Sequence, residues 1–134
     1  NLTKKLQLEK EVVFTGQLDK QDLSEFYKKS DIYIQGSSYE GLPHVILEAI
    51  SHNLSIISTP IGGTNEVLLD GINGWIWQLH NSFKPTEEDL LNIIKELTSN
   101  MEKDLFMKKS AIKHLHDLFD EEKNLNLYLK ILKK

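Results

Sequence analysis

Four short runs rich in β-branched and aromatic residues, separated by helical patterns, constrain the fold of this chain more than any other feature. The runs are residues 12–15 (VVFT), 31–35 (DIYIQ), 55–59 (SIIST) and 74–79 (GWIWQL). The helical patterns between them cover residues 20–29, 43–52 and 65–69. Since strands that alternate with helices form βαβ units, this order predicts an α/β fold with a Rossmann-like parallel sheet and flanking helices.

The pattern changes after residue 79, where strand-like runs stop and amphipathic periodicity begins. Helices are predicted for residues 86–100, 101–119 and 121–132. We therefore expect part of one domain, with an α/β core at residues 1–79 and a helical tail at residues 80–134. The opening residues 1–8 look like the end of a helix, so we expect a piece of a larger protein.

Composition excludes several classes of function. The 134 residues carry 16 basic and 20 acidic side chains, and this net charge of −4 argues against a nucleic-acid partner held by overall charge. The chain has no cysteine, which excludes thiolate and disulfide chemistry and is compatible with the cytoplasm. No apolar run in the sequence reaches the length needed to cross a membrane.

The segment at residues 37–53 (SSYEGLPHVILEAISHN) combines a poor helix cap with a proline suited to the first helical position. Leu42 offers no side-chain oxygen to the first-turn amides, which belong to His44 and Val45 onward. Uncapped amides at the positive end of a helix form an anion site that suits a phosphate. The alternative is that water or a nearby loop satisfies these amides.

Two carboxylates, Glu40 and Glu48, flank this helix start. The sequence neighbours of Glu48 are apolar, which predicts a buried carboxylate that needs strong polar partners. Since residues 43–48 of a helix rise roughly 7 Å, a nucleoside diphosphate sugar would fit between the two acids. Two alternatives remain: a metal site at His44, Glu48 and His52, whose outer ligands lie about 12 Å apart on a straight helix, or a partly exposed polar stripe.

Residues 37–50 (SSYEGLPHVILEAI) resemble the E-x7-E signature of the group 1, or family four, retaining glycosyltransferases. Residues 12–41 and 59–77 (TPIGGTNEVLLDGINGWIW) are similar to the segments that precede and follow this signature in the family. The resemblance implies part of the C-terminal, donor-binding domain of a GT-B enzyme, in which two Rossmann-like domains face each other across a cleft. It implies a nucleotide-sugar-dependent hexosyltransferase that retains anomeric configuration and needs no metal or other cofactor.

The family pattern also implies roles for individual residues. Glu40 would face the donor sugar as the catalytic carboxylate, and Glu48 would accept hydrogen bonds from the ribose. The pyrophosphate would meet the backbone of Gly41, Leu42, Pro43, His44 and Val45, and the nucleobase would lie near Gly16, Gln17 and Leu18.

Some expected family features are not found in these residues. In the family, two further strands, a basic pair and an acceptor domain precede this region, so we expect the chain alone to be inactive. The two strands would lie between residues 12–15 and 31–35, so these two runs should not pair. Where the family has glycine and then proline, this chain has Asn53 and Ser55, and we expect Asn53 to adopt positive φ at the helix end.

The expected partners are a nucleoside diphosphate sugar and a glycan or lipid-linked acceptor, as in polysaccharide biosynthesis. Lysines at both ends of the chain are compatible with a cytoplasmic enzyme that makes peripheral contact with the inner face of the membrane. Two alternatives stay open: another nucleotide-sugar enzyme of the epimerase type on the same fold, and a non-catalytic nucleotide-binding module.

Overall fold

The computed structural model describes residues 2–38, 41, 44–77 and 86–124. Within these ranges it forms a three-stranded parallel sheet in the order β1-β2-β3. The strands are β1 (Ile32–Gln35), β2 (Ser55–Ser58) and β3 (Trp75–Ile76). The parallel α/β architecture predicted from the sequence is therefore confirmed.

Helices surround this sheet at nearly the predicted places. They are α1 (Leu2–Lys5), α2 (Lys20–Lys29), α3 (His44–Ser51), α4 (Thr64–Val67), α5 (Glu87–Ser99) and α6 (Met101–Leu118). The Asp19 carboxylate caps α2 by accepting from the Asp22 amide at 2.9 Å. Thr86 and Asp89 form a capping box at the start of α5. Residues 121–124 are also helical, and the rest of the last predicted helix lies outside the described residues.

The core lies between the sheet, α3 and α6. β2 is buried along its whole length, and α3 covers it with Ile46, Ala49 and Ile50. Helix α6 buries Met107 and Ala111, and Ala111 belongs to the same apolar cluster as the α3 residues. The helical tail therefore contributes to the core that the α/β segment begins.

The strand predicted at residues 12–15 is wrong. This run is irregular, and Val13 and Phe14 are 75% and 76% exposed. A strand is stable only when its backbone groups pair with a neighbour. Among the described residues β1 pairs only with β2, and residues 12–15 pair with neither. The separate expectation that residues 12–15 would not pair with β1 agrees with this arrangement.

The two tryptophans near the end of the sheet lie on either side of a buried residue. Ile76 is the buried residue, while Trp75 and Trp77 on either side are half-buried. The Lys103 ammonium lies 4.3 Å from the centre of a Trp75 ring, a cation–π contact with α6. The Trp77 indole N–H donates to the Thr86 carbonyl at 3.0 Å. The strand ends at Ile76, and residues 78 and 79 lie outside the described residues.

Asn53 ends α3 in the left-handed conformation, with φ of 62°, as predicted. Its amide donates to the Ile50 carbonyl at 2.9 Å, and the Leu54 amide donates to the Ala49 carbonyl at 3.2 Å. These two bonds form a Schellman motif, in which the residue at positive φ is usually glycine. Leu54 is then directed into the core, where it is buried.

The conformation of Asn53 predicts how substitutions there behave. Asn53→Gly should leave the free energy of unfolding unchanged or raise it, because glycine adopts positive φ without strain. Asn53→Val should lower it by about 1 kcal/mol or more, since a β-branched residue disfavours this conformation. Urea unfolding measures both. Asn92→Val, at an exposed position within α5, is the matched control, and an equal loss there would contradict the assignment to positive φ.

Ser55, which stands where the family has proline, connects β2 to α6. Its hydroxyl donates a hydrogen bond to the Asp104 carboxylate, 49 residues away in sequence. The second oxygen of Asp104 lies 3.0 Å from the Lys108 ammonium, and both of these side chains are largely shielded from solvent. Ser55 therefore provides a polar anchor for α6 at the start of the central strand.

Removing this anchor should destabilise the fold. Ser55→Ala should lower the free energy of unfolding by about 1.5–3 kcal/mol, the usual range for a hydrogen bond to a charged group. The comparison is a double-mutant cycle with Asp104→Ala, followed by urea unfolding. If Ser55→Ala lowers the free energy of unfolding equally with and without the Asp104 carboxylate, the hydrogen bond contributes nothing to stability.

Candidate functional site

The candidate site lies beyond the carboxyl ends of β1 and β2. Because these strands run parallel, the loops that follow Gln35 and Ser58 leave from the same edge of the sheet. Open α/β sheets bind their ligands at this edge. The loop after β1 carries the acidic signature, and the loop after β2 carries the double glycine.

A buried polar network fixes the start of both loops. The Thr59 amide donates to the Gln35 carbonyl at 3.0 Å, and its hydroxyl donates to the Ser37 carbonyl at 2.8 Å. The Gln35 amide nitrogen lies 3.3 Å from the Ser37 hydroxyl. Gln35 and Thr59 are each 5% exposed. Sequence reasoning missed this network, although polar residues that end apolar strands were the available signal.

The double-glycine turn is bonded directly to the signature loop. The Gly63 amide donates to the Gly41 carbonyl at 3.0 Å. Gly62 has a φ of 51°, a conformation that glycine adopts without strain, so it provides a tight turn between β2 and α4. Gly41, a predicted pyrophosphate contact, is exposed and is therefore accessible to a ligand while its carbonyl is held.

One face of α3 presents the predicted donor-binding residues to solvent. His44, Val45 and Glu48 are exposed, whereas Ile46 and Ile50 on the other side are fully buried. The prediction of a buried Glu48 is wrong. At 3.6 residues per turn Glu48 lies about 200° around the helix from Ile46, so apolar neighbours in sequence do not surround it in space. Its carboxylate is accessible to hydroxyl groups of a ligand.

Helix α2 packs against the end of α3 that carries Glu48. Tyr27 of α2 is buried, and burial raises the pKa of its hydroxyl above the ordinary value. The nearby negative charge of Glu48 raises this pKa further. The Tyr27 ring also contacts the His52 ring, with the two centroids 5.1 Å apart. This contact was not anticipated, because nothing in the sequence relates α2 to the signature.

His52 connects α3 to α2 through both of its ring nitrogens. Nδ1 lies 2.9 Å from the Glu48 carbonyl oxygen, and Nε2 lies 3.1 Å from the Ser24 hydroxyl. His44 and Glu48 are exposed and His52 is half-buried, as the polar-stripe alternative describes. Over the described ranges, no three His, Asp or Glu residues lie close enough to hold a metal ion.

The other predicted contacts are not assembled around α3 in the same way. Gly16 has a φ of 65° and leads through Gln17 and Leu18 to the cap of α2. No hydrogen bond in the described part of the chain joins these three residues to α3. Glu40, Leu42 and Pro43 lie outside the described residues.

The polar network under the site is testable by removing one hydroxyl. Thr59→Val keeps the shape of the side chain but removes the buried hydroxyl that donates to the Ser37 carbonyl, so the free energy of unfolding should fall by about 1–3 kcal/mol. Thr15→Val, in an exposed irregular segment, should change it by less than about 0.5 kcal/mol. Urea unfolding measures the free energy of unfolding of both variants. An equal change in the two would show that the Thr59 hydroxyl does not hold the loop.

Comparison with known proteins identifies the family. Residues 1–114 match the family described as glycosyl transferases group 1. The chain belongs to this family.

Relatives of this chain include glycosyltransferases from archaea and bacteria. It is 30% identical over 125 residues to an uncharacterized glycosyltransferase of Methanocaldococcus jannaschii, MJ1069, a match that covers 92% of this chain and 30% of that protein. It is 29% identical over 105 residues to the Escherichia coli UDP-Gal:alpha-D-GlcNAc-diphosphoundecaprenol alpha-1,3-galactosyltransferase, covering 73% of this chain and 27% of that protein. The chain spans about a third or less of the curated relatives it matches.

Solved structures share the fold. Anabaena Alr3699/HepE in complex with UDP and glucose superposes with a TM-score of 0.76 at 22% identity, over 98% of this chain and 34% of that chain. The C-terminal domain of LpcC, a group 1 family protein from Francisella tularensis, superposes with a TM-score of 0.71 at 21% identity, over 88% of this chain and 58% of that one. These likenesses establish a GT-B C-terminal domain fold.

Proposed function

We propose that this chain is the donor-binding part of a retaining hexosyltransferase, which moves a sugar from a nucleoside diphosphate sugar to a glycan or glycolipid acceptor. The observation that carries the proposal is the exposed face of α3. It presents the Glu48 carboxylate one turn beyond His44, on a helix that follows the glycine-containing loop at the carboxyl edge of the sheet. Family membership and the UDP and glucose in the HepE complex support the proposed ligand class.

Each part of the donor has a proposed contact. Glu48 accepts hydrogen bonds from the ribose hydroxyls, since an exposed carboxylate can receive two hydroxyls at once. The pyrophosphate meets the positive end of α3 at the backbone of Gly41, Leu42, Pro43, His44 and Val45. Glu40 faces the sugar, and the nucleobase lies beside Gly16, Gln17 and Leu18.

The proposed acceptor is a glycan or a lipid-linked glycan. The printed name of the Escherichia coli relative describes a lipid diphosphate acceptor. No helix in the described part of the chain is both long and apolar enough to cross a membrane. We also propose a cytoplasmic location at the inner membrane face, where Lys4 and Lys5, exposed at the end of α1, can contact anionic lipid.

Separate substitutions of the two glutamates in the intact protein test the proposal. Calorimetry with UDP, GDP and ADP first identifies the nucleotide that binds. Glu48→Ala should then lower the affinity for that nucleotide by about 10-fold or more, because charge-assisted hydrogen bonds to the ribose are lost. Glu40→Ala should leave nucleotide affinity nearly unchanged and lower kcat, because its contacts strengthen as charge develops at the anomeric carbon.

Other outcomes would overturn the assignment in distinguishable ways. Equal effects of both substitutions on nucleotide affinity would contradict the two roles. Nucleotide binding with no sugar transfer to any acceptor would favour a non-catalytic module, and conversion of the donor sugar without transfer would favour an epimerase. Lys95→Ala, in an exposed part of α5, is the control for non-specific loss of charge.

A further inference from the structure

We propose that the contact between Ser24 of α2 and His52 of α3 sets the distance between the two halves of the donor site. One half is the segment at residues 16–18, proposed to lie beside the nucleobase, and the other half is α3, proposed to bind the ribose and the pyrophosphate. The inference rests on the proposed function, because it assigns a positioning role within that same site. Ser24 and His52 are positioning residues that do not touch the ligand.

The segment at residues 16–18 is attached to the start of α2. A turn at Gly16, with a φ of 65°, leads to Asp19, the N-cap of this helix. Asp19 is bonded twice to the first turn: its carboxylate accepts from the Asp22 amide at 2.9 Å, and its carbonyl accepts from the Leu23 amide at 3.0 Å. Because these bonds join the segment to a helix, the position of the segment follows that of α2.

Helix α2 has little apolar packing to fix where it lies. Tyr27 is its one buried residue, and the half-buried Leu23 packs beside the same core. No hydrogen bond within the described ranges joins residues 16–18 directly to α3. The distance between the two halves therefore depends on how α2 is held against α3. A helix that buries so little apolar surface gains proportionally more from a polar contact.

The contact between Ser24 and His52 joins the two helices at a defined point. Nε2 of the half-buried His52 lies 3.1 Å from the Ser24 hydroxyl, and Nδ1 lies 2.9 Å from the Glu48 carbonyl oxygen. A carbonyl oxygen can only accept, so the neutral ring carries its proton on Nδ1, and Nε2 accepts from the Ser24 hydroxyl. The Tyr27 ring lies against the same imidazole, with centroids 5.1 Å apart. Ser24 is thus connected to the backbone of the residue that carries the proposed ribose-binding carboxylate.

A fixed distance between the two halves matters for a ligand that contacts both of them. A nucleotide pays less to bind when the two sets of contacts already have the spacing that its length requires. A ligand that contacts α3 alone, such as ribose 5-phosphate, does not depend on where α2 lies. This difference separates a role in spacing from general support of the fold.

The experiment compares Ser24→Ala with Ser30→Ala in the intact protein, using whichever of UDP, GDP and ADP binds most tightly. Ser24→Ala should lower the affinity for that nucleotide by about 3- to 10-fold, the loss expected for one hydrogen bond. It should lower the affinity for ribose 5-phosphate, measured by competition with the nucleotide, by less than about 2-fold. Since alanine favours a helix more than serine does, the loss cannot come from a weaker α2.

Two further variants serve as controls. Ser30→Ala removes a hydroxyl that donates to the Phe26 carbonyl of α2 at 2.7 Å, and it should change neither affinity by more than about 2-fold. Ser24→Thr keeps the hydroxyl, so its nucleotide affinity should stay within about 2-fold of that of the unmodified protein.

The outcomes separate this inference from the proposed function. If Glu48→Ala leaves nucleotide affinity unchanged, the proposed function fails. If Glu48→Ala lowers it while Ser24→Ala does not, the spacing role alone is overturned. Equal losses for the nucleotide and for ribose 5-phosphate in Ser24→Ala also overturn it, because the hydroxyl would then support α3 itself. A Ser24→Thr variant that binds as weakly as Ser24→Ala would show that the hydroxyl is not responsible.

Discussion

The parallel pairing of β1 with the fully buried strand β2 is the constraint on which the rest of the described structure depends. Two strands in this arrangement bring their following loops to one edge, so the acidic loop and the double-glycine turn become neighbours. The bond between Gly63 and Gly41 then joins the two loops. Helix α3 packs on β2 with Ile46 and Ile50, and this orientation leaves Glu48 exposed.

The surroundings of Glu48 come from two helices that are separated by a strand. Residues 37–53 contain the signature, but Ser24 of α2 supplies a polar contact to His52 at the end of α3, and the Tyr27 ring packs on the same imidazole. A recognisable motif therefore contains the group proposed to bind the ligand, while the groups that hold it in place come from elsewhere in the chain. Such groups set how much ordering must occur on binding.

Local chemistry was predictable from sequence, and long-range pairing was not. The bounds of α2 (Lys20–Lys29) and the positive φ of Asn53 follow from periodicity and from the conformational preference of asparagine. Residues 12–15 have strand composition, but a strand needs a neighbour, which composition cannot reveal. The exposure of Glu48 depends on which side of α3 faces the sheet, and the contact with Tyr27 depends on how α2 docks. Both are set by tertiary packing.

The carboxylate of Asp70 has a consequence for how this sheet meets other molecules. It accepts the Ile76 amide at 2.8 Å, on the side of β3 that faces away from β2. An amide on the outer side of an edge strand is a template for a foreign strand, and strand addition of this kind begins aggregation. Because Asp70 already occupies that amide, a strand from a second molecule would have to displace a negative charge to extend the sheet at Ile76. In the described part of the chain, Asp70 therefore covers the outward amide of the edge strand at Ile76.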